Sequence, residues 1–158
     1  MRGLALFLGG VLLGSAVQTG IAQGDRVVGV NHVGITVEHF DEALRFYTQH
    51  MGFREAFTVR DEKGQPVLAY VQVSRGTFME LQPAGADRRP GITHVGLEVD
   101  DIRATLARLA QHGVKVEEPR VSRTNSTIAN ATSPEGIRIE LSELGQESLQ
   151  RKAINSWK

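Results

Sequence analysis

The segments NHVGITV (residues 31–37) and THVGLEV (residues 93–99) are two copies of one pattern in a single chain. Each copy has a histidine followed by Val-Gly and then by alternating apolar residues, which is the period of a β-strand. A glutamate inside a short apolar run follows each copy, Glu80 at 48 residues after His32 and Glu140 at 46 residues after His94. The repeat predicts two equivalent units, each contributing one imidazole and one carboxylate.

Both units show the order βαβββ, which predicts an α+β fold built from two tandem modules. In the first module, residues 27–83, the pattern predicts a helix at 41–51 and strands at 27–37, 53–60, 67–73 and 77–82. In the second module, residues 92–143, it predicts a helix at 101–112 and strands at 92–99, 114–117, 126–131 and 137–141. Residues 84–91 are a predicted linker, and residues 144–158 a helical tail against a sheet edge or a partner subunit.

The alternation of side chains along the strands places the histidines and glutamates on one face of the sheet. His32 and His94 point away from the apolar side chains of their strands, as do Glu80 and Glu140. The apolar face must cover the helices, so four potential ligands are expected to converge in a cleft. A lone histidine is more often structural, but four positions that agree in order and parity favour a divalent metal ion.

The composition limits the possible functions. The chain has 158 residues with 41% hydrophobic and 23% charged side chains, which suits one globular domain or two small fused halves. Its formal net charge is zero, so there is no electrostatic basis for binding nucleic acid. The chain lacks cysteine, which excludes thiolate metal sites, thiol catalysis and disulfides.

The first residues have the layout of a signal peptide. Arg2 precedes an apolar run at residues 4–17 that is short for a membrane span, and small residues lie just before Gln23. We expect residues 1–22 to be cleaved, and the protein to be periplasmic or secreted without a membrane anchor. An uncleaved anchor or a start codon assigned too far upstream are the alternatives.

The ordered set of motifs resembles the vicinal oxygen chelate superfamily, which includes glyoxalase I, methylmalonyl-CoA epimerase, fosfomycin-resistance proteins and extradiol dioxygenases. The resemblance runs from residue 27 to about residue 143, and its motifs are NHVGI (31–35), FY (46–47), MGF (51–53), THVGLEVDD (93–101), SPEG (133–136) and IEL (139–141). It implies a cupped mixed β-sheet with a metal site in the cleft. The implied ligands are His32, Glu80, His94 and Glu140.

This ligand set is most similar to that of glyoxalase I, since epimerases of the superfamily usually have glutamine where Glu80 stands. The resemblance implies a divalent-metal-dependent lyase or isomerase that chelates adjacent substrate oxygens and transfers a carbon-bound proton through an enolate. Glu80 or Glu140 is the expected general base. The metal is expected to be nickel, cobalt, zinc or manganese.

Substrate recognition departs from the glutathione-using members. Thr36 and Ala84 occupy the places where those enzymes commonly carry arginine and asparagine, and no other paired basic clamp is evident in the sequence. A small-molecule substrate is expected, with candidate contacts at Thr36, Tyr70, Phe78, Glu98, Arg123, Asn125 and Arg138.

Two further functions stay open at this point. An iron(II) dioxygenase would use His32, His94 and Glu140 as its triad, although Glu80 would occupy a position that oxygen chemistry needs. A non-catalytic protein of the antibiotic-binding type would use the cleft without turnover. The resemblance also implies a homodimer, to which the tail would contribute.

Overall fold

One mixed sheet contains both modules. The computed structural model describes residues 26–158, so the predicted leader, residues 1–22, lies outside the described residues and its cleavage stays a prediction. Within residues 26–158, eight strands pair in the order β2-β3-β4-β1-β5-β8-β7-β6. The first module thus forms one half of the sheet and the second module the other half, and β1 and β5 join them. The predicted α+β class is confirmed.

The elements follow the predicted order within each module. The first module has β1 (Val27–Val37), α1 (Phe40–Arg45), a π-helical turn (Phe46–His50), β2 (Arg54–Arg60), β3 (Pro66–Ser74) and β4 (Thr77–Pro83). The second has β5 (Gly91–Val99), α2 (Ile102–Gln111), β6 (Arg120–Val121), β7 (Thr127–Thr132) and β8 (Arg138–Glu143), and α3 (Leu149–Asn155) lies in the tail.

One local prediction was wrong, and one predicted helix is present with a change of geometry along its length. The strand predicted at residues 114–117 is reduced to one β-bridge between Val116 and Ala131, and the strand that pairs with β7 lies later, at Arg120–Val121. Proline at position 119 lacks an amide hydrogen and interrupts the edge between the two. The helix predicted at residues 41–51 changes from α to π geometry at Phe46.

Pairing across the centre of the sheet brings the two modules into register. Strand β1 is antiparallel to β5, with His32 opposite Gly96 and Gly34 opposite His94. Strand β4 is parallel to β1 and places Glu80 beside Gly34. Strand β8 is parallel to β5 and places Glu140 beside Gly96. Two rows therefore cross the sheet, Glu80–Gly34–His94 and His32–Gly96–Glu140, and each has a glycine at its centre.

The helices α1 and α2 pack against the apolar faces of the strands. In the second module, Ile102 and Leu106 of α2 pack on Val99, Ala129 and Leu141. In the first module, Phe40, the first residue of α1, packs on Ala69 and Leu81 with partly buried side chains of α1 and β1 around them. Both sets lie on the face opposite the histidines, as the alternation of side chains predicted.

The tail helix packs on the other face of the first module. Ala153 of α3 forms a cluster with Leu68, Tyr70 and Phe78, which share the cleft face of strands β3 and β4. Arg151 of α3 pairs with Glu98 of β5 at 2.7 Å. This helix therefore closes one end of the cleft within the same chain. Across residues 26–158, none of the helices is long and apolar enough to span a membrane.

Candidate metal centre

The four predicted ligands meet at the centre of the sheet. The Nε2 atoms of His32 and His94 are 2.9 Å apart. Glu80 Oε2 lies 3.4 Å from His32 Nε2 and 3.1 Å from His94 Nε2. Glu140 Oε1 lies 3.5 Å from His32 Nε2. All four side chains are buried, with His32 and His94 at most 1% exposed.

These separations fit ligands around one ion. Two ligand atoms that each lie about 2.1 Å from a metal are about 3.0 Å apart at a right angle and about 3.4 Å apart at the tetrahedral angle. The four observed distances run from 2.9 to 3.5 Å. Among the described residues, His32, Glu80 and His94 form the group whose ligand atoms all lie within 4.8 Å of one another. Glu140, the fourth predicted ligand, lies beside this group, with Oε1 at 3.5 Å from His32 Nε2.

The two central glycines make room for the imidazole rings. A Cβ atom at Gly34 would lie 2.0 Å from His94 Cε1, and one at Gly96 would lie 2.1 Å from His32 Cε1. Side-chain carbons do not approach this closely, so each histidine ring lies over the glycine of the opposite strand. Glycine permits this close approach because it has no Cβ atom.

Hydrogen bonds on the far side of each ring orient the histidines. His32 Nδ1 lies 2.9 Å from Asn31 Oδ1, an acceptor that places the proton on Nδ1 and leaves the Nε2 lone pair facing the cluster. His94 Nδ1 lies 2.9 Å from Thr93 Oγ1, which can accept its proton, and 2.6 Å from Arg138 Nη2, which can only donate. If Thr93 accepts a proton from Nδ1, the lone pair of His94 Nε2 is free to bind a metal. A hydrogen bond from Arg138 to Nδ1 favours the other tautomer, which has the proton on Nε2.

The carboxylates differ in how firmly they are held. Gln82 Nε2 donates to Glu80 Oε1 at 2.5 Å, and Arg88 Nη1 donates to Gln82 Oε1 at 2.9 Å. This chain of contacts leaves Glu80 Oε2 turned toward the histidines. Glu140 Oε1 accepts only a long hydrogen bond of 3.4 Å from Ser142 Oγ among the described residues. Glu140 is thus the freer of the two carboxylates.

Burial and neighbouring charges shift the pKa values of the cluster. Burial lowers the pKa of His32 to about 4, against the opposing charge of Glu80, so this imidazole is neutral at pH 7. Burial alone would raise the pKa of Glu80, but the hydrogen bond from His94 and the charge of His32 outweigh it and lower the pKa to about 2. Burial, and then the charge of Glu80, raises the pKa of Glu140.

The cluster forms one wall of a cavity of about 310 Å³ on the cleft face. Glu80 and Glu140 reach its surface, and Tyr70 lines it beside them. Four arginines also line this cavity: Arg88, Arg120, Arg123 and Arg138. The site therefore combines buried ligands at its base with guanidinium groups around its mouth.

The structure brings three of the predicted substrate contacts to this cavity, namely Tyr70, Arg123 and Arg138. Burial raises the pKa of Tyr70 well above its usual value, and the charges of Glu80 and Glu140 raise it further, so its hydroxyl stays protonated.

The other four candidates are not part of the lining of this cavity, and their role as substrate contacts stays a prediction. Phe78 is fully buried in the cluster beneath α3, because the tail helix covers that part of the cleft face. Thr36 is 1% exposed. Glu98 is paired with Arg151, and Asn125 is exposed in a turn with φ of 58°.

The sequence reading missed Gln82, Arg88 and Arg120. Gln82 shares strand parity with Glu80 and lies two residues after it, which is a usable signal. The sequence reading found no paired basic clamp, yet four arginines line the cavity. Arg88 lies in the predicted linker and Arg120 follows the wrongly placed strand, so neither could be assigned to the cleft from periodicity.

Comparison with known families agrees with this geometry. The family model of the Glyoxalase/Bleomycin resistance protein/Dioxygenase superfamily matches residues 29–141. The chain belongs to this superfamily. The matched residues include all four ligands and both central glycines, so the predicted family is confirmed.

Proteins similar to this chain include some that are named as lyases or epimerases. It is 29% identical to a probable lactoylglutathione lyase of Vibrio parahaemolyticus, over 74% of this chain and 91% of that protein. It is 31% identical to a probable lactoylglutathione lyase of Synechocystis, over 70% of this chain and 91% of that protein. The crystal structure of methylmalonyl-CoA epimerase from Mycobacterium tuberculosis matches with a TM-score of 0.66 at 27% identity, covering 79% of this chain and 93% of that one.

The packing of the rings on glycine generates a first prediction. Gly96→Ala should displace His32, because its Cβ would lie 2.1 Å from His32 Cε1. We expect zinc affinity, measured by competition with a chromogenic chelator, to fall about 10- to 100-fold, as when the support of a metal ligand is lost. Gly29→Ala on the neighbouring strand β1 is the control, because a Cβ there meets no atom within 4 Å. Equal affinities for the two variants would refute the proposed role of the glycine.

The lowered pKa of His32 predicts an acid-sensitive metal-free protein. The pKa is about 4 in the folded chain against 6.5 in an unfolded one, so the unfolded state binds more protons between these values. The free energy of unfolding should fall as pH drops from 6.5 to 4, with a slope of up to about 1.4 kcal/mol per pH unit from this one group.

Urea unfolding at several pH values, with chelator present, measures this slope. His32→Gln removes the titrating ring and should flatten the dependence over the same window, whatever its effect on stability at pH 7. An unchanged slope in His32→Gln would contradict the burial of a neutral His32. His39→Gln is the control, since His39 lies outside the cluster at the start of α1.

Proposed function

We propose that the protein is a divalent-metal-dependent lyase or isomerase that moves a carbon-bound proton on a small oxygenated substrate. The observation that carries this proposal is the convergence of two buried imidazoles and two carboxylates, at separations of 2.9–3.5 Å, on the wall of an open cavity. The lyase and epimerase names of the relatives support the same class of reaction.

His32, Glu80, His94 and Glu140 would hold the ion, and this mixture of nitrogen and oxygen ligands suits zinc, nickel, cobalt or manganese. When bound, the ion supplies Lewis-acid stabilisation of the negative charge that develops on a substrate oxygen as the neighbouring carbon loses its proton. The protein contributes ligands that are already deprotonated at neutral pH, because the pKa values of His32 and Glu80 are lowered to about 4 and about 2.

Glu80 and Glu140 are suited to different roles. Gln82 holds Oε1 of Glu80, and Oε2 of Glu80 lies near both histidines, so Glu80 serves as a fixed ligand. Glu140 reaches the cavity, is held by fewer contacts and has a raised pKa, which brings a carboxylate closer to the basicity that proton abstraction needs. We assign to Glu140 the transfer of the proton from one substrate carbon to the neighbouring atom.

The arrangement is less suited to the two alternatives. In an iron(II) dioxygenase, Glu80 or Glu140 would occupy a position that oxygen requires beyond the triad. A binding protein without turnover would not need four buried ligands on one wall. Metal identity separates these possibilities, since iron alone would favour the dioxygenase and absence of any metal would favour the binding protein.

Elemental analysis of the purified protein tests the metal site. We expect about one zinc, nickel, cobalt or manganese ion per chain, and its loss in His94→Ala, because His94 Nε2 lies within 3.1 Å of both His32 and Glu80 ligand atoms. His112→Ala is the matched control, since this exposed histidine follows α2 on the opposite face and should leave the metal content unchanged. Failure of the protein to take up any of these metals after reconstitution would refute the proposal.

Exchange of substrate hydrogen for deuterium tests the role of Glu140. With hydroxy-carbonyl compounds and thiohemiacetals in D₂O, NMR should detect exchange at the carbon next to the carbonyl by the metal-loaded protein. Glu140→Gln should lower this rate about 10²- to 10⁴-fold, the usual contribution of a general base, while most of the metal is retained. Glu80→Gln should instead weaken metal retention. An unchanged exchange rate in Glu140→Gln would rule out Glu140 as the base.

A further inference from the structure

The arginines that line the cavity outnumber its carboxylates. The charge of Arg120 acts on Glu140. Outside the cavity, Arg120 also lines a surface pocket with Asp100, Asp101 and Glu143, and Arg123 one with Asp61 and Glu62. Arg120 and Arg123 are exposed, and neither forms a hydrogen bond or ion pair with a side chain in the described part of the chain. The carboxylates that line the cavity are Glu80 and Glu140, and both belong to the metal cluster. The lining has four arginines and two glutamates, so its formal charge is +2 without a bound metal ion.

Other arginines of the chain do find partners. Arg151 pairs with Glu98 at 2.7 Å, and Arg54 donates to Gln72 and to the carbonyl oxygen of Ala153. Arg138, at the boundary between the cluster and the cavity, uses one nitrogen to contact His94. Arg120, which begins β6, and Arg123, three residues later in the turn toward β7, form no such close pair in the described residues.

We propose that Arg120 and Arg123, together with Arg138, bind a second anionic group of the substrate, a carboxylate or a phosphate, while its adjacent oxygens occupy the metal cluster. This proposal rests on the proposed function for the position of those oxygens. Guanidinium groups donate paired hydrogen bonds to both oxyanions, and a cleft lined by one sign of charge concentrates the opposite sign.

The cavity has room for a small acid. Its volume of about 310 Å³ lies at the lower end of the range of roughly 300–1,000 Å³ for small-molecule sites. Such a space accommodates a hydroxy acid or keto acid with one further anionic group. Substrates of this class differ from a neutral hydroxy-ketone only in the group that the arginines would recognise, so charge is the property by which the site selects.

Three acids that share one chelating unit test this directly. Lactate, malate and 3-phosphoglycerate all carry a 2-hydroxycarboxylate, and the last two add a distal carboxylate or phosphate. Isothermal titration calorimetry at low ionic strength, on zinc-loaded and on metal-free protein, measures the dissociation constants. We expect malate, 3-phosphoglycerate or both to bind at least about tenfold more tightly than lactate in zinc-loaded protein, which corresponds to about 1.4 kcal/mol.

The double variant Arg120→Gln/Arg123→Gln should weaken malate and 3-phosphoglycerate more than lactate and bring the three dissociation constants to within about twofold of one another, since both side chains are exposed and neither belongs to the metal cluster. Arg103→Gln is the matched control, because Arg103 is an exposed arginine on α2 at the opposite face. Preference for malate alone identifies a carboxylate as the second group, and preference for 3-phosphoglycerate alone identifies a phosphate.

Equal binding of all three acids, or a preference that survives the double variant, would overturn the proposal. The proposed function fails in a different way. If the metal site were absent, zinc would not alter the affinity for lactate, whereas the difference between lactate and the two larger anions would still be lost in the double variant. The comparison of zinc-loaded with metal-free protein therefore tests the metal site. The comparison of the double variant with the unchanged protein tests the arginines.

Discussion

The reciprocal packing of histidine on glycine across strands β1 and β5 is the constraint on which the site depends. His32 lies over Gly96, and His94 lies over Gly34, because the antiparallel register pairs these positions. A side chain at either glycine would occupy the space of an imidazole ring. The same two residue types therefore join the modules and set the distance of 2.9 Å between the ligand nitrogens.

The outer strands add the carboxylates to this centre through parallel pairing. Strand β4 places Glu80 beside Gly34, and strand β8 places Glu140 beside Gly96. The symmetry of the duplicated modules is then broken by their surroundings. Gln82 holds Glu80, whereas Glu140 faces the arginine-lined side of the cavity, and their pKa values shift in opposite directions. Two equivalent carboxylates can in this way take different roles in one reaction.

The tail covers part of the cleft face. Helix α3 packs on Leu68, Tyr70 and Phe78 of the first module, and Leu68 and Tyr70 also line the cavity. Three of the four arginines of the cavity, Arg120, Arg123 and Arg138, come from the second module. Both modules therefore contribute to the lining, and the second supplies most of its positive charge.

The sequence by itself determined the duplicated modules, the family and the side of the sheet to which the four ligands belong. These follow from repeats and from a two-residue alternation, which are local properties of the chain. Only the tertiary structure decided that Gln82 holds Glu80, that α3 buries Phe78, and that Arg88 and Arg120 reach the cavity. Strand parity gives the face on which Gln82 and Phe78 lie but not the partner that each contacts. The positions of Arg88, Arg120 and α3 do not follow from periodicity at all, because loops and a tail can pack wherever apolar surface and hydrogen-bonding groups are left uncovered.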